Sequence, residues 1–169
     1  VSMGAVFRFS ELLELAGHRL RGVVCARDTR RDPSVAALLG LTPGTKLVHL
    51  ERLRLVGDEP VALDRSWLPE RIGAPLMDID STDIADSDVH LRLCGVTATS
   101  GHERIAAISP TEDEQRLLGL ESRDVACAVE RLSFAGAAPV EFRRTVLHAR
   151  WFGIEATFSV PDGYRMDPY

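Results

Sequence analysis

The sequence has 169 residues, of which 25 are acidic and 20 are basic, a length that suits one domain with a substantial core. The mild acidic excess disfavours a free-standing nucleic-acid-binding domain, which is more often basic. No apolar stretch approaches the roughly 18 residues of a membrane span and no signal peptide is present, so we expect a cytoplasmic protein without membrane contact. The three cysteines fit neither a disulfide framework nor a CxxC metal site, and we expect no metal and no cofactor.

The first predicted elements are a short helix, a strand and a second helix. Ser10 is a candidate N-cap ahead of an apolar leucine face, and Gly17 would end that helix. A strand is predicted over 23–26 and a charged loop over 27–32. A second helix is predicted over 33–39, with an aspartate as its N-cap and a proline at its first position.

A stretch of sequence then occurs twice. Residues 38–66 read LLGLTPGTKLVHLERLRLVGDEPVALDRS, and residues 117–145 read LLGLESRDVACAVERLSFAGAAPVEFRRT, an offset of 79 positions (117 minus 38). The alignment needs no gap, and the ERL, glycine and PV motifs stay in register. Two copies are too few for a solenoid, so this internal repeat predicts a single pseudo-symmetric domain.

Each copy reads as a helix end followed by a β-hairpin. The glycine of LLGL (Gly40 and Gly119) is free to take the left-handed conformation that ends many helices. A strand with period-two alternation follows, then a Gly-containing turn and a second strand, VALDRSWL in the first copy and VEFRRTVL in the second.

The other segments are predicted from shorter signals. Residues 78–88 are rich in aspartate but lack the glycine and distal glutamate of a calcium loop, which favours a solvated loop or helix-capping segment. Residues 109–114 are a helix start, with a hydroxyl cap followed by acids in the first turn, and that helix ends at Gly119. The remaining elements are an irregular link over 71–76, a short helix over 88–93, a strand over 96–108, a final strand over 151–160 and a loose tail over 161–169. Helices interspersed with hairpin-connected strands indicate an α+β fold with an antiparallel sheet.

Charged residues inside the hairpin strands are the candidate binding residues. They are Arg52, Arg54, Asp64 and Arg65 in the first copy, and Glu141, Arg143 and Arg144 in the second. Alternation puts Arg52 and Arg54 on one face of the sheet, and Arg143 is the repeat-mate of Asp64, which favours a meeting of the two clusters. Converging guanidinium groups suit a carboxylate or phosphate. Two alternatives stay open, namely solvated charges on an exposed sheet face and intramolecular ion pairs. No phosphate loop, HExxH or GxSxG motif is present, and no catalytic residue can be proposed.

The motifs of both copies resemble the UTRA domain, the effector-binding module of the HutC subfamily of GntR-type bacterial transcription regulators. In the first copy they are LGL (39–41), LERLR (50–54), EPV (59–61) and DRSWLP (64–69). The segment from HERIAAISP onwards looks like the second half of the module, and Phe7 to Glu11 matches its lead-in. The resemblance covers about residues 7–158, which we interpret as the core of a single domain over 1–169.

The resemblance implies a chorismate-lyase-like fold with flanking helices, a homodimer, and a cleft for a small polar or anionic effector. By position, Arg52 and Arg54 match the family's anion-binding pair, and Asp64 takes the place of a ligand-contacting glutamate. Other residues at pocket positions are Ser10, Glu103 and Glu141, with Arg143 where a small polar residue is usual. An arginine-rich pocket of this kind favours a doubly charged or carboxylate ligand.

The winged helix-turn-helix that normally precedes this module is not among the 169 residues, so we expect DNA contact only through such an N-terminal domain. The predicted function is small-molecule sensing for a transcription regulator. Two alternatives are an enzyme of the chorismate-lyase type, which shares the fold, and a dimerisation domain that binds no ligand.

Overall fold

The computed structural model describes residues 16–80 and 90–168, and its centre is a six-stranded antiparallel sheet. The strands are β1 (Leu20–Arg30), β2 (Leu47–Val56), β3 (Glu59–Pro69), β4 (Ser100–Ile108), β5 (Ala126–Ala135) and β6 (Ala138–His148). Their order across the sheet is β1-β2-β3-β6-β5-β4. Two further strands, β7 (Ile154–Ser159) and β8 (Gly163–Pro168), form a separate two-stranded sheet. The predicted α+β fold with an antiparallel sheet is confirmed.

Short helices connect the strands. They are α1 (Pro33–Leu38), α2 (Glu70–Gly73), α3 (His90–Leu93) and α4 (Glu112–Leu118), with 3-10 turns at Ala74–Met77 and Ala149–Trp151. The Asp32 carboxylate accepts two backbone N–H groups at the start of α1, and Thr111 and Glu114 form a capping box at the start of α4. Both predicted helix starts are confirmed. Over the described ranges, no helix is long and apolar enough to cross a membrane.

The repeat extends well beyond the two stretches that reveal it in the sequence. Moving β2 and β3 forward by 79 positions gives the bounds of β5 and β6, and the same shift maps α1 onto α4 and β1 onto β4 to within one residue at each end. Even the irregularities repeat, since the register shift after Arg54 in the first hairpin has its counterpart after Ser133 in the second. The sheet therefore consists of two β-α-β-β halves.

The two halves join where β3 pairs with β6. In this pairing Arg65 lies opposite its own repeat-mate, Arg144, so a pseudo-two-fold axis passes between them. Both arginines donate to Oε1 of the buried Glu114, Arg65 from Nη1 over 2.8 Å. Burial raises the pKa of Glu114, but the backbone N–H of Thr111 and the two guanidinium groups outweigh it and hold the pKa below its ordinary value.

One face of the sheet, which we call the helix face, is covered by α1 and α4. Val35 and Leu39 of the first helical segment pack on Leu47, Trp67 and Phe142. Around α4, an apolar cluster joins the two halves of the sheet. Its members are Leu63, Leu118, Leu120, Ala126 and Val146. Because side chains alternate along a strand, the neighbours of these residues point to the opposite face.

The opposite face, which we call the arginine face, is apolar at both ends and charged between them. At one end Val48 and Leu68 pack against Ile72 and Leu76 of the α2 region. At the other end the cluster members are Ala62, Val129 and Leu147, with Leu20, Val56, Trp151 and Phe152 packed against them. The charged band between these two clusters holds the candidate site.

Several sequence predictions need correction. The charged loop expected at 27–32 belongs largely to β1, which continues to Arg30 because it pairs with β2 over its whole length. The link expected at 71–76 is helical, and the tail expected after residue 160 contains β8. The strand expected over 96–108 begins at Ser100, and the one expected over 151–160 is shorter, as Ile154–Ser159. The helix expected near Ser10 and the aspartate-rich residues 81–88 lie outside the described ranges.

The paired glycines Gly40 and Gly119 offer a test of the repeat. Their φ angles are 64° and 65°, and a Cβ at either position would meet nothing within 4 Å. Replacing either by alanine should therefore cost only the left-handed strain, about 1 kcal/mol of unfolding free energy. Urea denaturation of Gly40→Ala and Gly119→Ala measures this, with Gly44→Ala, which has equal space but no left-handed φ, as the neutral control. Unequal losses at the two repeat-mates would contradict the equivalence of the halves.

Candidate functional site

The charged band begins with two arginines on β2. Alternation and the pairing of Arg52 with Asp64 place both arginines on the same face as that carboxylate. Nε of Arg54 donates to Asp64 Oδ2 over 2.9 Å, and Nη2 of Arg52 lies 3.7 Å from the same oxygen. Arg52 and Arg54 are 0% and 2% exposed, which excludes solvated outer-face charges for these two residues.

Asp64 also contacts the second half of the sheet. Its other oxygen, Oδ1, accepts the hydroxyl of Thr145 on β6 over 2.6 Å. Burial raises the pKa of Asp64, but the guanidinium groups of Arg54, Arg52 and Arg143 and the Thr145 hydroxyl outweigh it, so the pKa lies well below its usual range. The carboxylate is therefore ionised at neutral pH and joins the two halves across the β3–β6 boundary.

The second half contributes two further ion pairs to the same face. Nε of Arg131 donates to Oε2 of Glu103 over 2.6 Å, and Nε of Arg143 donates to Oε1 of Glu141 over 3.4 Å. Arg143 is the cross-strand partner of Arg131 on one side and of Ser66 on the other. The two predicted clusters thus meet through β6.

Seven charged side chains make up this band. They are the arginines Arg52, Arg54, Arg131 and Arg143 and the acids Asp64, Glu103 and Glu141, which leave a formal excess of one positive charge (four minus three). Partial burial of so many charges is costly unless each charge is paired. The observed pairs correspond to the intramolecular ion pairs that the sequence analysis left open as an alternative to ligand binding. A ligand oxyanion would therefore share the guanidinium groups with carboxylates of the chain. Such sharing is possible because each planar guanidinium group has five N–H donors, of which one carboxylate uses at most two.

The other residues named from the sequence are distributed differently. Arg65 and Arg144 lie on the helix face, where both contact Glu114, so they are not part of the band. Ser10 lies outside the described ranges. Within residues 16–80 and 90–168, no group of three or more His, Cys, Asp or Glu side chains is arranged to hold a metal ion.

One member of the band, Arg131, and the Thr145 hydroxyl that contacts the band are not among the residues predicted from the sequence, although the repeat contains the signal for both. Arg131 is the repeat-mate of Arg52, and Thr145 is the repeat-mate of Ser66. Applying the 79-residue offset to every polar residue of the first hairpin would have identified them. The contact between Thr145 and Asp64 depends on the β3–β6 pairing, which the repeat does not reveal.

Solved structures with the same fold include several regulator domains. The effector domain of PhnF from Mycobacterium smegmatis is 23% identical, with a TM-score of 0.74 and coverage of 89% of this chain and 91% of that one. The C-terminal domain of the histidine utilization repressor from Pseudomonas syringae pv. tomato is 20% identical, with a TM-score of 0.74 and coverage of 83% and 99%. A GntR-family transcriptional regulator from Bacillus cereus is 16% identical, with a TM-score of 0.68 and coverage of 83% and 99%. At these identities the likeness establishes the fold.

A comparison with curated proteins gives no match. The family model described as the UTRA domain, in contrast, matches residues 17–152, a range that spans both halves of the sheet and every described member of the charged band. The chain therefore belongs to the UTRA domain family.

Proposed function

We propose that this domain senses a small anionic metabolite for a GntR-type transcription regulator of the HutC subfamily. The observation that carries the proposal is the band of four arginines and three acids on one face of the sheet, in which Arg52, Arg54, Asp64 and Glu141 are buried. Membership of the UTRA family and the shared fold of the PhnF effector domain and the histidine utilization repressor domain support it.

Arg52, Arg54 and Arg143 are the residues that hold the effector in this proposal, with Glu103 and Glu141 as further contacts. Ser10, which lies outside the described residues, is a candidate only through the family resemblance. A guanidinium fork binds a carboxylate or phosphate bidentately, and in a buried site that contact is stronger than in water. Asp64 acts as a positioning residue, because both its oxygens already bind side chains of the domain. It holds the guanidinium groups of the two β2 arginines in place within the band.

The domain binds its effector without transforming it, in our proposal. An arginine stays protonated in a protein and so does not act as an acid or a base, and the lowered pKa of Asp64 makes it a poor base near neutral pH. The regulator acts in the cytoplasm, where its DNA target lies, and contacts DNA through an N-terminal winged helix-turn-helix. Effector binding changes DNA affinity only if the DNA-competent and DNA-incompetent states bind the effector unequally.

We further propose that the domain functions as a homodimer in which the β7–β8 hairpin contacts a second copy. A two-stranded sheet alone is marginally stable in water, and no β7 residue belongs to the core clusters of the described chain. Ile154, Phe158 and Val160 are 42%, 69% and 95% exposed. Burial of these apolar side chains in a partner would stabilise the hairpin.

The effector proposal is tested by thermal-shift screening against sugar phosphates, amino acids and dicarboxylates. A bound effector at about a hundredfold excess over its Kd should stabilise the domain by about 2.7 kcal/mol. Arg52→Lys and Arg54→Lys keep the charge beside Asp64 but lose the fork, so affinity should fall about tenfold or more. Lysine is preferable to alanine here, because alanine would leave Asp64 short of a partner.

Arg104→Lys is the matched control, since Arg104 is exposed and lies on the other face; its response should equal that of the wild type. A flat response of the wild-type domain across the whole panel would favour a dimerisation domain without ligand. Lysine variants that respond like the wild type would exclude the β2 arginines as effector contacts.

The positioning role of Asp64 predicts a pH-dependent loss of stability. Its pKa is lowered in the folded state and lies near 3.9 in an unfolded chain, so its stabilisation is complete above about pH 5 and is lost as the pH falls through 4 towards the folded value. Asp64→Asn should lower the unfolding free energy at pH 7 by about 3–5 kcal/mol, because it leaves buried guanidinium groups without their carboxylate. Urea denaturation between pH 3 and pH 8 measures this difference, which should shrink in acid. Asp58→Asn, at an exposed turn residue, is the control, and a pH-independent loss for Asp64→Asn would refute the assignment.

The dimer proposal is tested by sedimentation velocity. The wild-type domain should sediment as a dimer, and Phe158→Ser should dissociate it, because Phe158 offers a large exposed apolar surface on β7. Thr157→Ser, which alters the adjacent residue on the other side of the strand, should leave the dimer intact. A wild-type monomer, or a Phe158→Ser dimer of unchanged affinity, would show that the hairpin does not hold two copies together.

A further inference from the structure

Ser66 is a fully buried polar residue with an unsatisfied hydroxyl in the middle of the arginine face. It is 0% exposed, and within the described structure its Oγ has no hydrogen-bond partner. It lies two residues from Asp64 on β3, and its cross-strand partners are Leu50 and Arg143. The hydroxyl therefore points into the charged band.

Comparison with the repeat-mate of Ser66 shows that, among the described residues, Ser66 lacks a hydrogen-bond acceptor. Its repeat-mate Thr145 lies opposite Asp64, and its hydroxyl donates to that carboxylate over 2.6 Å. The corresponding residue opposite Ser66 is Arg143, the repeat-mate of Asp64. An arginine offers only donors, so the residue opposite Ser66 supplies no acceptor for its hydroxyl, whereas Thr145 has the Asp64 carboxylate opposite it.

A buried hydroxyl without a partner lowers stability, and alanine would fill the same space without that cost. An anionic oxygen beside Ser66 would accept its O–H and would also meet the guanidinium of Arg143, whose Nε donates to Glu141. Hydroxyl and guanidinium donors together form a binding site for one oxyanion group.

We infer that Ser66 and Arg143 form an oxyanion subsite in the second half of the sheet, which takes one carboxylate or phosphate group of the effector. The inference rests on the proposed function and adds a ligand contact to it. Arg52 and Arg54 are on β2, and Arg143 is on β6 across the intervening strand β3, so an effector with two anionic groups engages both halves of the sheet.

Titration calorimetry and thermal shift with two probes, inorganic phosphate and succinate, test the subsite at matched ionic strength. The probe that gives the larger response in the wild type identifies the anion class. Ser66→Ala should weaken binding of that probe about tenfold, the effect of one hydrogen bond to a charged group. In the absence of either probe, the Tm of Ser66→Ala should equal or exceed that of the wild type, because the substitution removes an unsatisfied hydroxyl.

Thr145→Val is the matched variant, since it removes the hydroxyl at the repeat-equivalent position. Its Tm without a probe should fall by several degrees, because Asp64 loses a partner. A Ser66→Ala variant that binds like the wild type would overturn the subsite and leave the proposed function standing. A loss of Tm in Ser66→Ala equal to that in Thr145→Val would also overturn it, because the hydroxyl would then have a structural partner. A wild-type domain that responds to neither anion overturns the subsite, and a flat response to the wider metabolite panel overturns the proposed function as well.

Discussion

The carboxylate of Asp64 is the contact on which the charged face of this domain depends. It accepts Arg54 from its own half of the sheet and Thr145 from the other half, with Arg52 close by. Buried arginines without a carboxylate would be strongly unfavourable, and two of the most buried polar groups of the domain are the arginines beside it. One ionised acid thus makes a cationic interior compatible with a stable core.

The duplication explains why the charges gather where they do. Each half supplies one strand pair, and the pseudo-axis through Arg65 and Arg144 brings the inner strands of the two pairs together. Positions beside the axis therefore meet their counterparts: Asp64 meets Thr145, and Ser66 meets Arg143. The two halves have diverged at these positions, so the symmetric frame carries an asymmetric set of donors and acceptors. Such asymmetry is what a small metabolite without two-fold symmetry requires.

Secondary structure could be predicted from the sequence wherever it depends on residues that are close together in the chain. The repeat predicted both hairpins, and the Asp32 cap and the Thr111 helix start were readable from residue types. Arg65 and Arg144 were grouped with the binding residues although strict alternation assigns them to the other face. The second strand after Pro161 was missed although Pro-Asp-Gly is a turn signal between strands. In both cases the local pattern contains the signal.

Other features depend on long-range pairing and were not open to prediction from local pattern. The strand β1 runs on through Asp28 to Arg30 because an aligned partner strand satisfies its backbone, which outweighs the loop preference of its charged residues. The contact of Thr145 with Asp64 spans the boundary between the halves, and no spacing within one copy reveals which strands meet there.

The central strands carry a polar contact on each face, and this limits how the domain can respond to a ligand. Asp64 binds Thr145 on the arginine face, while the next residue, Arg65, shares Glu114 with Arg144 on the helix face. The two halves are thereby held together from both sides of the sheet. Because breaking a buried ion pair costs several kcal/mol, an anion is accommodated at lower cost by adding to the existing arginine pairs than by displacing Asp64. In the proposed binding mode, an effector would alter side-chain contacts along the boundary and leave the sheet itself in register.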